Sequence, residues 1–358
     1  MSRLCMHIWC AYTFYIAYRT DVYGFVRPED FDYKSYNEFV SNYLSVLCRR
    51  GRKWNYLIGK DRPIKKGWKV KRYVRKGIPK EHRKQVWMAI SGAQALREQQ
   101  PGLYHTLLQT HWQQEIVESI RIDIPRTFPD NIFFQHEDAG NRLALFDVLA
   151  AHAHHHDSPG YCQGLNFVAG LLLLTTEDAE VTFWLLHVMV TQILPDYYTN
   201  DMLGLLTDIE VLSEIVSMKV PQVYEHLRRH GVSWALLTTK WFVCLFAEVL
   251  PIETVLRIWD SVFYEGSKIL FRVAVTLVMM NQDQILAAPG FAEITTVFKN
   301  ITGGYEVIDC HSFMQAIFKK PGSLSSTLIQ QLRAKCRDRR GSEQDDLMTT
   351  TLCHTPYG

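Results

Sequence analysis

The sequence predicts an all-α protein, an irregular array of about fourteen helices, from three observations. Beyond about Arg83 the apolar residues recur at helical spacing, as in Leu143, Phe146, Leu149, Ala150 and Ala153, or Leu205, Ile209, Leu212 and Val216. Punctuation such as Pro101-Gly102, Pro289-Gly290 and Gly303-Gly304 cuts the chain into segments of roughly ten to eighteen residues. Sustained β-type alternation is hard to find, and no internal repeat marks a regular solenoid. With 47% hydrophobic and 12% aromatic residues in a chain of 358, there is ample material for a buried core.

In chain order, residues 4–18 are apolar and aromatic, but shorter than the roughly 20 residues a membrane span needs. Ala17-Tyr18-Arg19-Thr20 lacks the small-residue exit of a signal peptide, so an irregular N-terminus is expected. Residues 49–84 hold sixteen Lys or Arg against only Asp61 and Glu81, which makes residues 1–70 a partly irregular basic arm before a mildly acidic body. Trp54, Tyr56, Trp68 and Tyr73 interleave with those cations. That composition suits weak contact with an anionic membrane, where each Lys or Arg adds about 1 kcal/mol. It equally suits a solvated lead-in whose aromatics pack on the domain, and nucleic acid is not expected as a partner.

The body spans residues 71–320. A helix starting near Trp112 is expected to end at Ile124, because Pro125 disfavours helical geometry at the residue before it. Residues 165–174 read as a core helix, since Asn166 and Gly170 interrupt an apolar run already too short to cross a bilayer, and residues 241–250 read similarly. Lys320-Pro321-Gly322 closes a helix, one more basic helix occupies residues 321–340, and residues 341–358 are expected to be a disordered tail.

Two chemistries are set aside. No G-x-x-x-x-G-K-[ST] or G-x-G-x-x-G loop occurs, so the chain does not look like a nucleotide-binding enzyme itself. His152, His154, His155 and His156 suggest a metal, but adjacent helical residues diverge by about 100 degrees, and no Cys or Glu stands nearby. A solvated helix end is expected, with no metal. The eight cysteines are scattered without a CxxC pair, which suits a reducing, cytoplasmic setting.

Two segments carry chemistry. In Ile120-Arg121-Ile122-Asp123-Ile124-Pro125-Arg126-Thr127-Phe128-Pro129, two prolines stiffen a loop that presents Arg126, and Asp123 is placed to hold its guanidinium. A planar guanidinium can bridge two phosphate oxygens as charge builds during phosphoryl transfer. In Ser158-Pro159-Gly160-Tyr161-Cys162-Gln163-Gly164-Leu165-Asn166, a Pro-Gly turn introduces a helix and sets Gln163 in its first turn. A carboxamide there can orient a water through its carbonyl while donating to a phosphate oxygen. Taken alone, the commoner explanations are a surface ion pair and a satisfied helix end.

Together, however, Arg83-x-x-x-Trp87, Ile120-x-x-Asp123-x-x-Arg126 and Tyr161-x-Gln163 stand in an order that resembles the three signature motifs of the TBC domain family. Gly77-Ile78-Pro79 and Leu256-Arg257-Ile258-Trp259-Asp260 extend the resemblance, which covers about residues 71–318. The resemblance implies an all-helical TBC fold and a GTP-bound Rab-family GTPase as partner. The chain would then be no enzyme in its own right but an activator acting in trans, with no cofactor of its own, since GTP and Mg belong to the partner. By motif position Arg126 and Gln163 would be the arginine and glutamine fingers. Asp123, Tyr161, Thr127 and Gly164 would support them, while Arg83, Trp87, Trp259 and Asp260 would be structural. A role in vesicle trafficking follows, on the cytoplasmic side and peripheral to endomembranes.

His152, His156 and Leu165 depart from the family pattern, which leaves partner preference and efficiency open. Two other readings stay in view. One is a catalytically weak Rab-binding scaffold; the other is a membrane-associated adaptor driven by the basic arm, whose binding would fall steeply with salt.

Overall fold

The computed structural model describes residues 20–29, 31–59, 63–135, 140–155 and 160–352, with side chains described up to Arg340. Residues 4–18 and His156 lie outside the described residues. The described residues are helical and hold no β-strand, only isolated bridges pairing Thr20 with Val26 and Phe25 with Asn131. There are more helices than the sequence suggests, because short ones such as Ala93–Gln99, Leu103–Leu108, Gln282–Ala287 and Tyr305–Ile308 are too brief to show a period. None of the described helices is long and apolar enough to cross a membrane.

The centre is helix Leu165–Thr176, every residue of which is buried. It packs between helices Asn141–His155 and Ala179–Val188, which also pack on each other. Asp178 caps the latter by accepting from the Val181 N–H at 3.0 Å. A second group centres on Ile252–Glu265, which meets Trp68–Lys76, Lys80–Ser91, Lys268–Met280 and Cys310–Lys319.

Asp260 welds that second group together from a site with no solvent exposure. Its Oδ1 accepts from Arg83 Nε at 3.1 Å and Trp87 Nε1 at 2.9 Å, and its Oδ2 from the Ile78 N–H at 2.9 Å. Trp259 beside it donates to the Leu245 carbonyl at 3.0 Å. Arg83, Trp87, Trp259 and Asp260 thus lie deep in the packing, with all four buried.

Several expectations need correction. The described part of the N-terminal arm is not a solvated lead-in: helix Tyr33–Ile58 has 26 residues and buries Tyr36, Val40, Tyr43 and Trp54 against the body, Trp54 being one of the aromatics expected to pack on the domain. Residues 241–250 are not one helix. Helix Trp234–Val243 stops, and Leu245 and Phe246 take positive φ of 48° and 65°, which lets both side chains bury without continuing the helix. His152 is 2% exposed and packs against Phe183 and His187, not in solvent, because it shares a helix face with Leu145, Val148 and Leu149. The last helix, Ser326–Leu352, runs past Arg340, well into the expected tail; residues 353–358 lie outside the described residues. It docks on helix Leu203–Lys219 through Arg333, whose Nε and Nη2 each donate at 2.6 Å to the carboxylate of buried Asp208.

Candidate functional site

Helix Gln114–Asp123 ends where expected, though for another reason. Ile124 keeps helical backbone angles, φ −55° and ψ −51°, in spite of Pro125. The helix stops because Pro125 has no N–H to donate, and the chain closes instead in a turn with the Thr127 N–H on the Ile124 carbonyl at 3.1 Å. This turn leaves Arg126 exposed and Asp123, Thr127 and Phe128 buried.

Asp123 is divided between two donors. Arg126 Nη2 donates to its Oδ1, and Tyr161 OH donates to its Oδ2 at 2.5 Å. Burial, then the hydrogen bond and charge of Asp123, raise the Tyr161 phenol well above its ordinary value of 10. Tyr161 therefore stays protonated and remains a donor. The carboxylate, only 5% exposed, grips one end of a guanidinium whose side chain is 47% exposed, so the cation is steadied and still accessible.

Gln163 lies in the turn before helix Leu165–Thr176, not in its first helical turn. The cause is Gly164, which caps the helix with φ +107° and ψ −29°, a left-handed geometry that a side chain rarely adopts. A Cβ on Gly164 would also come within 3.0 Å of Val243 Cγ2. Gln163 is exposed, and its carboxamide forms no hydrogen bond with another described residue.

A buried relay joins the two exposed side chains' supports. The Gly164 N–H donates to Asn166 Oδ1 at 3.0 Å, Asn166 Nδ2 donates to Thr127 Oγ1 at 2.8 Å, and Thr127 Oγ1 donates to the Asp123 carbonyl at 2.7 Å. Gly170, one turn along, permits this approach, since a Cβ there would sit 3.2 Å from both Phe128 and Thr127. Of the residues singled out in the sequence, Arg126, Asp123, Thr127, Tyr161, Gln163 and Gly164 come together here. Arg83, Trp87, Trp259 and Asp260 do not.

Sequence reasoning missed Asn166, Gly170 and residues 20–26. The first two register only as interruptions of an apolar run, yet a polar side chain and a glycine inside such a run are themselves the available signal. Residues 20–26 brace the arginine loop: Val26 N–H donates to the Asp130 carbonyl at 3.2 Å, Ile132 N–H to the Gly24 carbonyl at 2.9 Å, and Phe25 meets Phe128 edge-on at 5.0 Å. No periodic pattern announces that contact. A cleft of about 790 Å³ opens beside Arg126, with Phe25, Phe128, Phe167, Glu248 and Glu253 in its wall.

A family model for the Rab-GTPase-TBC domain matches residues 80–286. The chain is 51% identical over 320 residues to growth hormone-regulated TBC protein 1-A of Danio rerio, covering 89% of this chain and 90% of that protein. It is 52% identical over 322 residues to growth hormone-regulated TBC protein 1 of Homo sapiens, covering 90% and 96%. The solved Chlamydomonas flagellar RabGAP TBC domain superposes with a TM-score of 0.73 at 30% identity, covering 84% of this chain and 99% of that one. The Ypt/Rab-GAP domain of Gyp1p, with a TM-score of 0.66 and 22% identity over 76% of this chain and 97% of that one, shares the fold. The chain therefore belongs to the Rab-GTPase-TBC domain family, within which it resembles the growth hormone-regulated TBC proteins.

Proposed function

We propose that this protein is a GTPase-activating protein that binds a Rab-family GTPase in its GTP form and completes the partner's active site with Arg126 and Gln163. The observation that carries the reading is the division of Asp123 between Arg126 and Tyr161, which steadies an exposed guanidinium next to the turn bearing an exposed carboxamide. Family membership supports the partner class.

In this reading Arg126 bridges oxygens of the transferring phosphoryl group, where negative charge grows in the transition state. Its Asp123 partner holds the guanidinium plane, so less freedom is lost on docking. Gln163 accepts a hydrogen bond from the attacking water and donates to a phosphate oxygen. The nucleotide and Mg come with the GTPase, and the activator supplies no cofactor.

Phosphate release from a panel of purified GTP-loaded Rab proteins tests this. Arg126→Ala is expected to lower stimulated hydrolysis by about three to five orders of magnitude, with the helical circular dichroism unchanged. Gln163→Ala should do comparable harm. A well-folded variant of either kind that stimulates a responsive Rab as strongly as the parent rules out the dual-finger mechanism and leaves a Rab-binding scaffold.

A further inference from the structure

Six non-glycine residues among the described ones take a positive φ, and five of them belong to three adjoining segments. Phe128 follows Arg126; Leu245 and Phe246 follow Val243, against which the Gly164 turn packs; Asp196 and Met202 flank Tyr197 and Tyr198. Backbone of this kind persists only where its surroundings over-determine it, and it concentrates at functional sites. The Gln163 carboxamide forms no hydrogen bond with another described residue, so its placement depends on the backbone of its turn and on what holds that turn.

Tyr198 connects two of these segments. It is 3% exposed, and its hydroxyl donates to the Val243 carbonyl at 2.9 Å. That carbonyl stands at the end of helix Trp234–Val243, where the ladder supplies no further N–H, so the phenol provides the missing donor. The same carbonyl oxygen lies 3.3 Å from where a Cβ on Gly164 would stand. Burial, then the neighbouring Cys244 and Cys162, raise the Tyr198 phenol well above its ordinary 10, so it stays protonated and remains a donor. Cys162 is the residue before Gln163. Tyr197 ties the same segment to the C-terminal helix Ser326–Leu352. Its hydroxyl donates to Asp208 Oδ2, and Arg333 donates to both oxygens of that carboxylate and, at 2.8 Å, to Ser267 Oγ. Arg337, one turn on, donates to Asp196 Oδ2 at 2.9 Å. The Gly204 N–H closes the segment on the Asp196 carbonyl at 2.8 Å, and a Cβ at Gly204 would overlap the Pro195 carbonyl.

We propose that Tyr198 and Arg333 are positioning residues for Gln163. The C-terminal helix clamps residues 196–198, and the Tyr198 hydroxyl holds the end of helix Trp234–Val243 against the Gly164 turn, which fixes where the carboxamide stands. Tyr198 is buried, so it acts through Gln163 and not by touching a partner. This role rests on the reading of Gln163 as a finger. It makes a helix far along the chain part of what shapes the site, by a route separate from the Asn166 bridge to the arginine loop.

The test uses the full chain, a GTP-loaded Rab that responds to the parent, and two readouts, phosphate-release kinetics and amide exchange of residues 162–166. Tyr198→Phe keeps the ring and removes only the hydroxyl. It should lower kcat by about tenfold with KM for the Rab unchanged, a displacement short of the 1 Å that costs about a hundredfold. In a Gln163→Ala background the same substitution should cost nothing further, since the group it positions is gone. Exchange at the Gly164 amide should quicken by about three- to tenfold, the range for losing one net hydrogen bond. Arg333→Met/Asp208→Leu removes the ion pair as a unit, so no charge is left buried alone, and should reproduce the kcat loss with helical circular dichroism retained; Tyr198→Phe decides by itself if the double variant does not fold. Parental kcat in a folded variant overturns the proposal, as does a rise in KM in place of the kcat loss, or an equal loss with and without Gln163. If Gln163→Ala itself stimulates at the parental rate, the finger reading falls first. Unchanged exchange in Tyr198→Phe overturns the bracing whatever becomes of the finger.

Discussion

Asn166 and Thr127, neither with any solvent exposure, are joined by a 2.8 Å hydrogen bond that fastens the Arg126 loop to the turn carrying Gln163. Asn166 also takes the Gly164 N–H, so one side chain sets the spacing of two loops that lie far apart in sequence. Asn166→Ala would strand the Gly164 N–H in the interior at a cost of about 1–3 kcal/mol. Loosening the two fingers should also cut stimulated hydrolysis by about a hundredfold, the penalty of misplacement near 1 Å. Urea denaturation and phosphate release, measured on one preparation, check both; parental activity would deny the bridge any positioning role.

Gly164→Ala meets two obstacles, the φ of +107° and the contact with Val243 at 3.0 Å. Strained backbone of this kind costs about 1–3 kcal/mol, and relief by shifting the turn would displace Gln163. Gly92→Ala is the matched control, with φ +93° and nothing within 4 Å of the added Cβ. It should lose a similar backbone increment of stability and keep full activity, a contrast readable from Tm and phosphate release.

Asp260→Asn separates structure from chemistry. It removes the counter-ion of Arg83, whose side chain is only 7% exposed, and turns into an amide one of two acceptor oxygens, Oδ1 facing Arg83 and Trp87 or Oδ2 facing the Ile78 N–H. Breaking a buried pair in this way costs about 3–5 kcal/mol. Activity per folded molecule should survive below the lowered Tm, because none of these groups reaches the exposed site.

Acid sensitivity has an identifiable source. Against the upward push of burial, Arg75 and Lys268 hold the Glu265 carboxyl down from its ordinary 4.5 to about 2. A depressed carboxylate contributes stability that is full above 4.5 and disappears as pH falls toward 2. Denaturation free energy should therefore drop across that window, and the drop should be smaller in Glu265→Gln, which starts from lower stability at neutral pH.

Much of the architecture is legible in the primary chain, because Asn141–His155 carries apolar residues at three- to four-residue spacing and Leu165–Thr176 is an apolar run buried on every side. Local chemistry is legible too. Pro125 ends a helix and Asp123 lies three residues from Arg126, so their ion pair needs no distant partner. Where local rules compete with packing they fail: Ile124 stays helical before a proline, and His152 goes inside because its face is otherwise aliphatic.

By itself, then, the sequence determined the helical class, the TBC motifs and the identity of the exposed arginine and glutamine, all of which depend on residue type and short spacing. Only the tertiary structure decided that Asn166 would tie their loops, that residues 20–26 would brace Phe128, and that Arg257 would donate to the Tyr43 hydroxyl. The reason is physical: these contacts join segments from 39 to 214 residues apart, and no local preference specifies which distant group fills a buried hydrogen bond or neutralises a buried charge.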